Sequence, residues 1–546
     1  MKELALVSLL LMASAGCMGG RPTDNTSVHG GGGTAGETAD ASTTDTGGSG
    51  GGSYVATGGS GAGEAGGSGS GGDARGMGGA GTGGTGMGGA GTGGTGMGGA
   101  GMGGAGIGGA TGAGGVAGSG GAGSFTISVT VVGTGTVTSV PAGISCPGTC
   151  SATIAASSVT LQARTTNGSD SVFTGWSDPQ CAGPMRDCTR PLGASPLAIT
   201  ATFSSTTANL IFTTSATFQT NLGGTAPYDT ACNTVATAAG LNNSGGNAYV
   251  AVISDTQSNV IARLGSARGW VRLDGKPFAD TKNALFANNQ VFYPILFQED
   301  GQRHNGNGFI AGTNPDGTAA PANCQNWTST VDDGTIVSCG DADGGPYAWT
   351  SGSGSYCGLA APLICMGKAK SSVVSIPAPP GPGRKIWLTS TQFTPNSTTT
   401  PDAQCQAVRP AGVTAAAAII STTSRTADSV LDPATTYYRL DGVPVGTGAD
   451  IDGVMPNVLN HPIASGIWQS EDGLYPIFNA DGWTGSTALN VLGTTAWTCG
   501  DWKDPTQGPA LYGMPQVTSS EWWSPFTVFT TPCNQSMRLY CVQTAP

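Results

Sequence analysis

The chain has 546 residues, a net charge of −12, 94 glycines and 14 cysteines. It holds only 21 lysines and arginines with no basic run, which argues against nucleic acid as a partner. Its length allows three or four domains, but most glycines fall between Met18 and Gly123, a stretch with too little apolar surface to fold, so a disordered tether is expected there.

At the N-terminus Lys2 precedes an apolar run, Leu4 to Ala13, followed by Ser14-Ala15-Gly16-Cys17. The run is too short to span a bilayer and reads as a cleaved export signal over residues 1–16. Small residues directly before a cysteine resemble the bacterial lipoprotein box. That resemblance implies lipidation of Cys17, membrane attachment through that lipid alone and, with Met18 rather than Asp next, display at the outer membrane or cell surface. Ser14 stands where the family has Leu, which leaves ordinary cleavage after Ala15, and secretion, open. Residues 17–124 then form a glycine-rich linker in which Gly76 to Thr85 is repeated as Gly86 to Thr95. The repeat is not Gly-X-Y with proline, so a collagen helix is excluded. A flexible coil of this length spans about 55–60 Å. Its Gly-x-Ser-x-Gly strings lack the flanking strand and helix of a hydrolase nucleophile.

Residues 125–205 read as a small all-β domain. Phe125–Val131, Val159–Ala163 and Leu197–Phe203 alternate apolar and polar positions, with turn residues between them. The order Gly133-Thr-Gly-Thr-Val137, Cys146-x₃-Cys150, Phe173-Thr-Gly-Trp176, Cys181, Cys188 and Ala201-Thr-Phe203 resembles a bacterial surface repeat related to internalin-type B repeats. With that resemblance, Cys146 with Cys150 and Cys181 with Cys188 are the expected bridges, the module is a spacer, and Trp176 is expected in the core.

The remainder is a tandem duplication, residues 206–370 and 385–546, joined by a Pro-rich linker over 371–384 that is expected to act as a semi-rigid spacer. Ile211-Phe-Thr-Thr-Ser-Ala-Thr-Phe218 matches Ile386-Trp-Leu-Thr-Ser-Thr-Gln-Phe393. Val271-Arg-Leu-Asp-Gly275 matches Tyr438-Arg-Leu-Asp-Gly442, and Cys324-Gln-Asn-Trp327 matches Cys499-Gly-Asp-Trp502. Cysteines 232, 324, 357 and 365 are spaced almost as 405, 499, 533 and 541 are. Pro227 and Pro401 suit a first helical turn, with Thr400 as N-cap. Cys232, Val235, Ala236 and Ala239 then share a helix face that Gly240 ends. A first cysteine on a helix and a last one in a terminal strand resemble the C-type lectin-like fold, in its endostatin branch. The run Ala231–Leu241, the turn Asn314-Pro-Asp-Gly317 and the final Cys-x₇-Cys carry the likeness. It implies two α+β domains with bridges Cys232–Cys365, Cys324–Cys357, Cys405–Cys541 and Cys499–Cys533, which leaves Cys339 unpaired. So many disulfides require an oxidising compartment.

Chemistry is sparse. Of three histidines, His29 lies in the tether, and His304 and His461 occupy unmatched places in the two copies, so no catalytic residue is assigned and an enzyme is not expected. The triplets of calcium-dependent sugar sites are missing, and the endostatin metal site does not carry over. Asp332, Asp333, Asp341 and Asp343 offer oxygen ligands without a recognised calcium spacing, so no cofactor is assigned. Trp522, Trp523, Phe526 and Phe529 form an aromatic cluster, read either as a contact for a glycan or protein ligand or as packing over the inner disulfide. The function expected is recognition or adhesion by tandem lectin-like modules gaining avidity through linkage. The alternatives are a structural envelope component and a surface-polymer hydrolase.

Overall fold

The computed structural model describes residues 124–545, except 167–168, 182–184, 194, 244, 305–307, 332–335, 380, 454–462, 479 and 525–529. These residues fold into small β sheets with few, short helices, all within one compact unit. The signal segment, Cys17 and the tether lie outside the described residues. No described helix is long and apolar enough to cross a membrane.

Alternation builds the first part of the fold. Ser124–Val132 buries Ile127 and Val129, and Ser158–Arg164 buries Val159, Leu161 and Ala163. One four-stranded sheet runs Ser151–Ala155, Ser124–Val132, Leu197–Ser205, Ser171–Trp176, and the other Ser145–Cys146, Thr136–Val140, Ser158–Arg164, Asp187–Pro191. Their apolar faces close on one core. Trp176 takes its expected place there, 5.3 Å from the Phe173 ring and donating to Met185 O at 2.9 Å. The bridges Cys146–Cys150 and Cys181–Cys188 both form.

Two modules with one topology follow. The first sheet runs Tyr249–Ala251, Ile364–Gly367, Asn209–Thr213, Trp270–Val271, Pro277–Ala279. The second runs Ala416–Ala418, Tyr540–Gln543, Arg384–Leu388, Thr436–Tyr438, Pro444–Thr447 in the same order. Helix Ala226–Ala238 buries Tyr228, Cys232 and Ala236 against the first sheet. Gly240, at φ +70°, ends it, while the amides of Gly240 and Leu241 return to Thr237 O and Ala236 O. In the second module Thr400 caps helix Pro401–Ala407 by accepting from Ala403 N, with proline in the first turn. Cys232–Cys365 and Cys405–Cys541 pin each helix to the last strand, and Cys324–Cys357 and Cys499–Cys533 close the inner loops. Cys339 corrects the expectation of an unpaired thiol: it is buried on Ile336–Gly340 and disulfide-bonded, and no described cysteine is free. The lack of a counterpart in the second module carried no information about its own pairing.

The two modules place polar anchors at matched positions. Asp229 accepts from Ala251 N and pairs with Arg263; Asp402 accepts from Ala418 N and pairs with Arg425. Asn233 donates to Tyr249 O and accepts from Tyr249 N, so the helix seals the outer edge of the first sheet. Gln406 and Asp402 serve Ala416 N and Ala418 N in the second. Cys324–Trp327 and Cys499–Trp502 each form one left-handed turn, with φ of 51°, 55°, 57° and 64° in the first and 51°, 61°, 57° and 66° in the second. Such a turn costs about 1–2 kcal/mol per non-glycine residue. It is offset by burying an indole whose N–H reaches Ser254 O or Ser421 O at 2.9 Å.

The modules are not spaced apart. Gly340 lies against Trp349 O as Gly513 lies against Trp522 O, which sets the register between copies. In that register Gly344 bridges its own counterpart, Val517. Gly345 N donates to Gln516 O at 2.6 Å, and the matched Thr518 N donates to Asp343 O at 3.2 Å. Residue for residue this is an isologous, two-fold contact, formed within one chain. Trp468 enters the first module's core and Ala348 the second's. A side chain on Gly345 would strike the Trp468 ring. Fully buried Arg439 spans the seam, donating to Val291 O at 3.1 Å and Ser465 Oγ at 2.8 Å while pairing with Asp441. The linker packs as well: Val374 N donates to Asp280, and Ile376 lies on Phe292, Tyr293 and Val443. The expected spacer is therefore a strap on a fused pair, because apolar side chains of each module pack into the core of the other.

Replacing Trp468 by Ala should lower the unfolding free energy by about 3–5 kcal/mol in chemical denaturation, the usual cost of emptying a buried aromatic site. Burial pushes the Asp441 carboxyl up, but Arg439 beside it and bonds from Tyr475 and Val443 N hold it below the ordinary range. A depressed folded value means the stabilisation is complete above about pH 4 and is lost as pH falls through that value. An acid titration of the melting temperature should show this loss, and Asp441→Asn should show less of it from a lower starting point.

Candidate functional site

The aromatic cluster is not the site. Trp522 and Trp523 are 0 % and 1 % exposed and sit in the second module's core, Trp522 packed edge-on to Tyr540 at 5.3 Å. The Tyr540 hydroxyl donates to Trp522 O at 2.6 Å. Their expected role as ligand contacts is corrected, and they pack beside the sheet rather than over Cys499–Cys533, which belongs to a separate core cluster. The signal was present in the repeat: Trp522 matches Trp349, equally buried, and an aromatic kept at one core position of two modules reports packing. Phe526 and Phe529 lie outside the described residues.

Other singled-out residues are absorbed by structure. His304 is buried, with Nδ1 3.0 Å from Thr213 Oγ1 of the central strand and its ring edge-on to Phe309. His461, Asp332 and Asp333 lie outside the described residues. Asp343 accepts from Ser519 N at 3.0 Å across the seam. Among the described residues no three His, Cys, Asp or Glu side chains are grouped to hold a metal ion. Asn314–Gly317 is a turn, closed by Gly317 N to Asn314 O with Gly317 at φ +79°.

A cleft opens where the N-terminal sheets meet the first module. The two units are locked by Val172, which joins the module's core, and by Arg186. Arg186 is 1 % exposed and donates to Glu299 O at 2.6 Å and to Ala239 O at 2.8 Å, at the C-terminal end of helix Ala226–Ala238. Burial, and then the Arg164 charge, bring its pKa down to about 10, so it stays a cation at neutral pH. Beside this lock lies a hollow of about 440 Å³, walled by Asp170 and Ser171 on one side and by Asn242, Asn247, Tyr249 and Lys370 on the other. A second hollow of about 410 Å³ adjoins it and shares Asp170 and Ser171.

The polar groups in this cleft are unevenly used. Lys370 Nζ is held by Asp170 at 2.6 Å and by Thr206 O at 2.6 Å, and Asn242 donates to Asp170 at 2.9 Å. Asn209 spends its whole amide on Arg268 O, Lys370 O and Lys370 N. Ser171 Oγ, by contrast, is buried and has no hydrogen-bond partner. Tyr249 stacks edge-on with Phe212 at 5.2 Å, and burial pushes its phenol up despite Arg186 nearby, so it is a neutral hydroxyl. No local motif points to this site, since its residues are spread from 170 to 370 and meet only when two units dock. Compared with known proteins, the chain matches no family model and no curated protein.

Because the tryptophans are core, Trp522→Ala and Trp523→Ala should each cost about 3–5 kcal/mol of stability, read in thermal or denaturant unfolding. Full stability in both variants would put them back on the surface.

Proposed function

We propose that the chain is an extracytoplasmic recognition protein, displayed at the cell surface, whose two C-terminal modules belong to the C-type lectin-like class. The nested cystines, the helix bonded to a terminal strand and the repeated left-handed turn support the lectin-like assignment. The six cystines between described residues favour an oxidising compartment. The observation that carries recognition is the junction cleft, a preformed hollow of about 440 Å³ at a domain boundary.

The fused seam changes how binding works in this reading. The modules do not act as independent arms, so avidity from flexible linkage gives way to one fixed platform. The same seam favours a second reading, in which the pair is a structural envelope component, since each module's core takes in side chains of its neighbour. A screen of the Cys17→Ser chain against glycan arrays and purified cell-wall polymers, with and without calcium, separates the two. Saturable binding to one polymer class is expected. Uniform failure to bind leaves the structural reading.

A further inference from the structure

We infer that the seam is an interaction surface for a second copy of this chain, each first module accepting the second module of its neighbour in a reciprocal exchange. The surface shares no residue with the junction cleft and is independent of whatever that cleft binds.

The contact is self-complementary down to single bonds. Gly345 N donates to Gln516 O and Thr518 N to Asp343 O, on either side of the bridge between Gly344 and Val517. The side chains at the two matched acceptor positions repeat the pattern. Asp343 accepts from Ser519 N at 3.0 Å, and Gln516 Oε1 accepts from Tyr347 N at 3.1 Å. A module on the same chain or on another meets such an isologous surface equally well. Cys232–Cys365, Cys324–Cys357, Cys405–Cys541 and Cys499–Cys533 each close within one module, so the strap is the polypeptide link that pairs the two in cis.

The strap is held at its ends and bare between them. Val374 and Ile376 dock its start, and Gly383 lies against the Tyr438 ring at its end. Pro377, Ala378, Pro379, Gly381 and Pro382 are exposed, and a side chain added at Gly381 would meet nothing within 4 Å. Proline keeps such a segment extended and stiff. Redirecting it to a neighbour leaves every seam bond as it is, which makes exchange a low-cost route to a dimer.

The seam also selects its partner. Glu299 and Glu471 accept from Ser215 N and Ser390 N at 2.7 Å, and this match puts Leu296 in the first module where Trp468 stands in the second. Two first modules would meet with leucines in place of the indole that fills the neighbour's core and donates to Val291 O. Two second modules would bring a pair of indoles and a pair of buried Arg439 guanidiniums to one contact. Unlike modules fit better than like ones, which favours reciprocal exchange closing at two chains.

The test is light scattering of the Cys17→Ser chain with residues 378–381 deleted, which removes about 12 Å of reach. A particle of twice the chain mass is expected. Cutting it at a protease site placed in the strap should then halve that mass, since each cut pair stays together across its seam. Asp343→Ala and Gln516→Ala should each raise the midpoint concentration for dimer formation by about three- to tenfold, the loss of one hydrogen bond. A shortened chain that stays monomeric with its melting temperature unchanged overturns the inference, as does a dimer whose mass survives cutting. A second measurement needs no deletion. Two differently tagged preparations with the protease site in a strap of natural length are cut and mixed, and mixed-tag pairs should form. Halves that separate on cutting, or pairs that never mix during incubation just below the melting temperature, also overturn it. Gly345→Val, whose side chain would strike the Trp468 ring, should abolish both the dimer and the mixed pairs.

Discussion

A helix tied by sulfur to the last strand of its own module sets most of what this protein can be. Cys232–Cys365 and Cys405–Cys541 close loops of 133 and 136 residues. On the chain-entropy argument, each removes about 5 kcal/mol of freedom from the unfolded state. Between those ends the chain has little regular structure: short strands, single helical turns and long connections. Segments of that kind need their ends fixed before the interior can be specified. The inner cystines do so a second time around the left-handed turns, whose backbone strain is tolerable only because both ends are anchored.

Duplication then solved a packing problem. Each module leaves an apolar patch beside the segment that carries Gly344 or Val517, and the copy covers it across a two-fold contact. The symmetry is imperfect where it matters. Arg439 reaches across to Val291 O, while its counterpart Arg272 bonds within its own module, to Pro294 O and Asp274. At this pair of arginines one copy donates across the seam and the other does not. The first module's core takes in Val172 of the N-terminal sheets, and the cleft lies at that junction.

Much of the fold was legible before any coordinates. Cysteine spacing announced the duplication, alternation announced the first sheets, and Thr400 and Gly240 marked helix ends, because these are local or periodic signals. The matched Cys324–Trp327 and Cys499–Trp502 were visible as a repeat, but a left-handed run of non-glycine residues contradicts local propensity and follows only from tertiary anchoring. Trp522 and Trp523 misled because a dense aromatic cluster reads alike in a core and in an interface. The seam and the cleft were out of reach for a shared reason: both depend on which surfaces dock, and docking leaves no periodic mark in either partner.

The sealed edges of the two sheets bear on how the protein tolerates crowding. An outermost strand ordinarily offers a ladder of open donors and acceptors, and neighbouring molecules exploit it to zip together. Here the helix side chains Asn233 and Asp229, with Arg263, occupy that ladder in the first module, and Gln406, Asp402 and Arg425 occupy it in the second. Packed side by side at high density, such molecules have lost the backbone route to fibrous association along these two margins, and whatever gathers them must work through side chains instead.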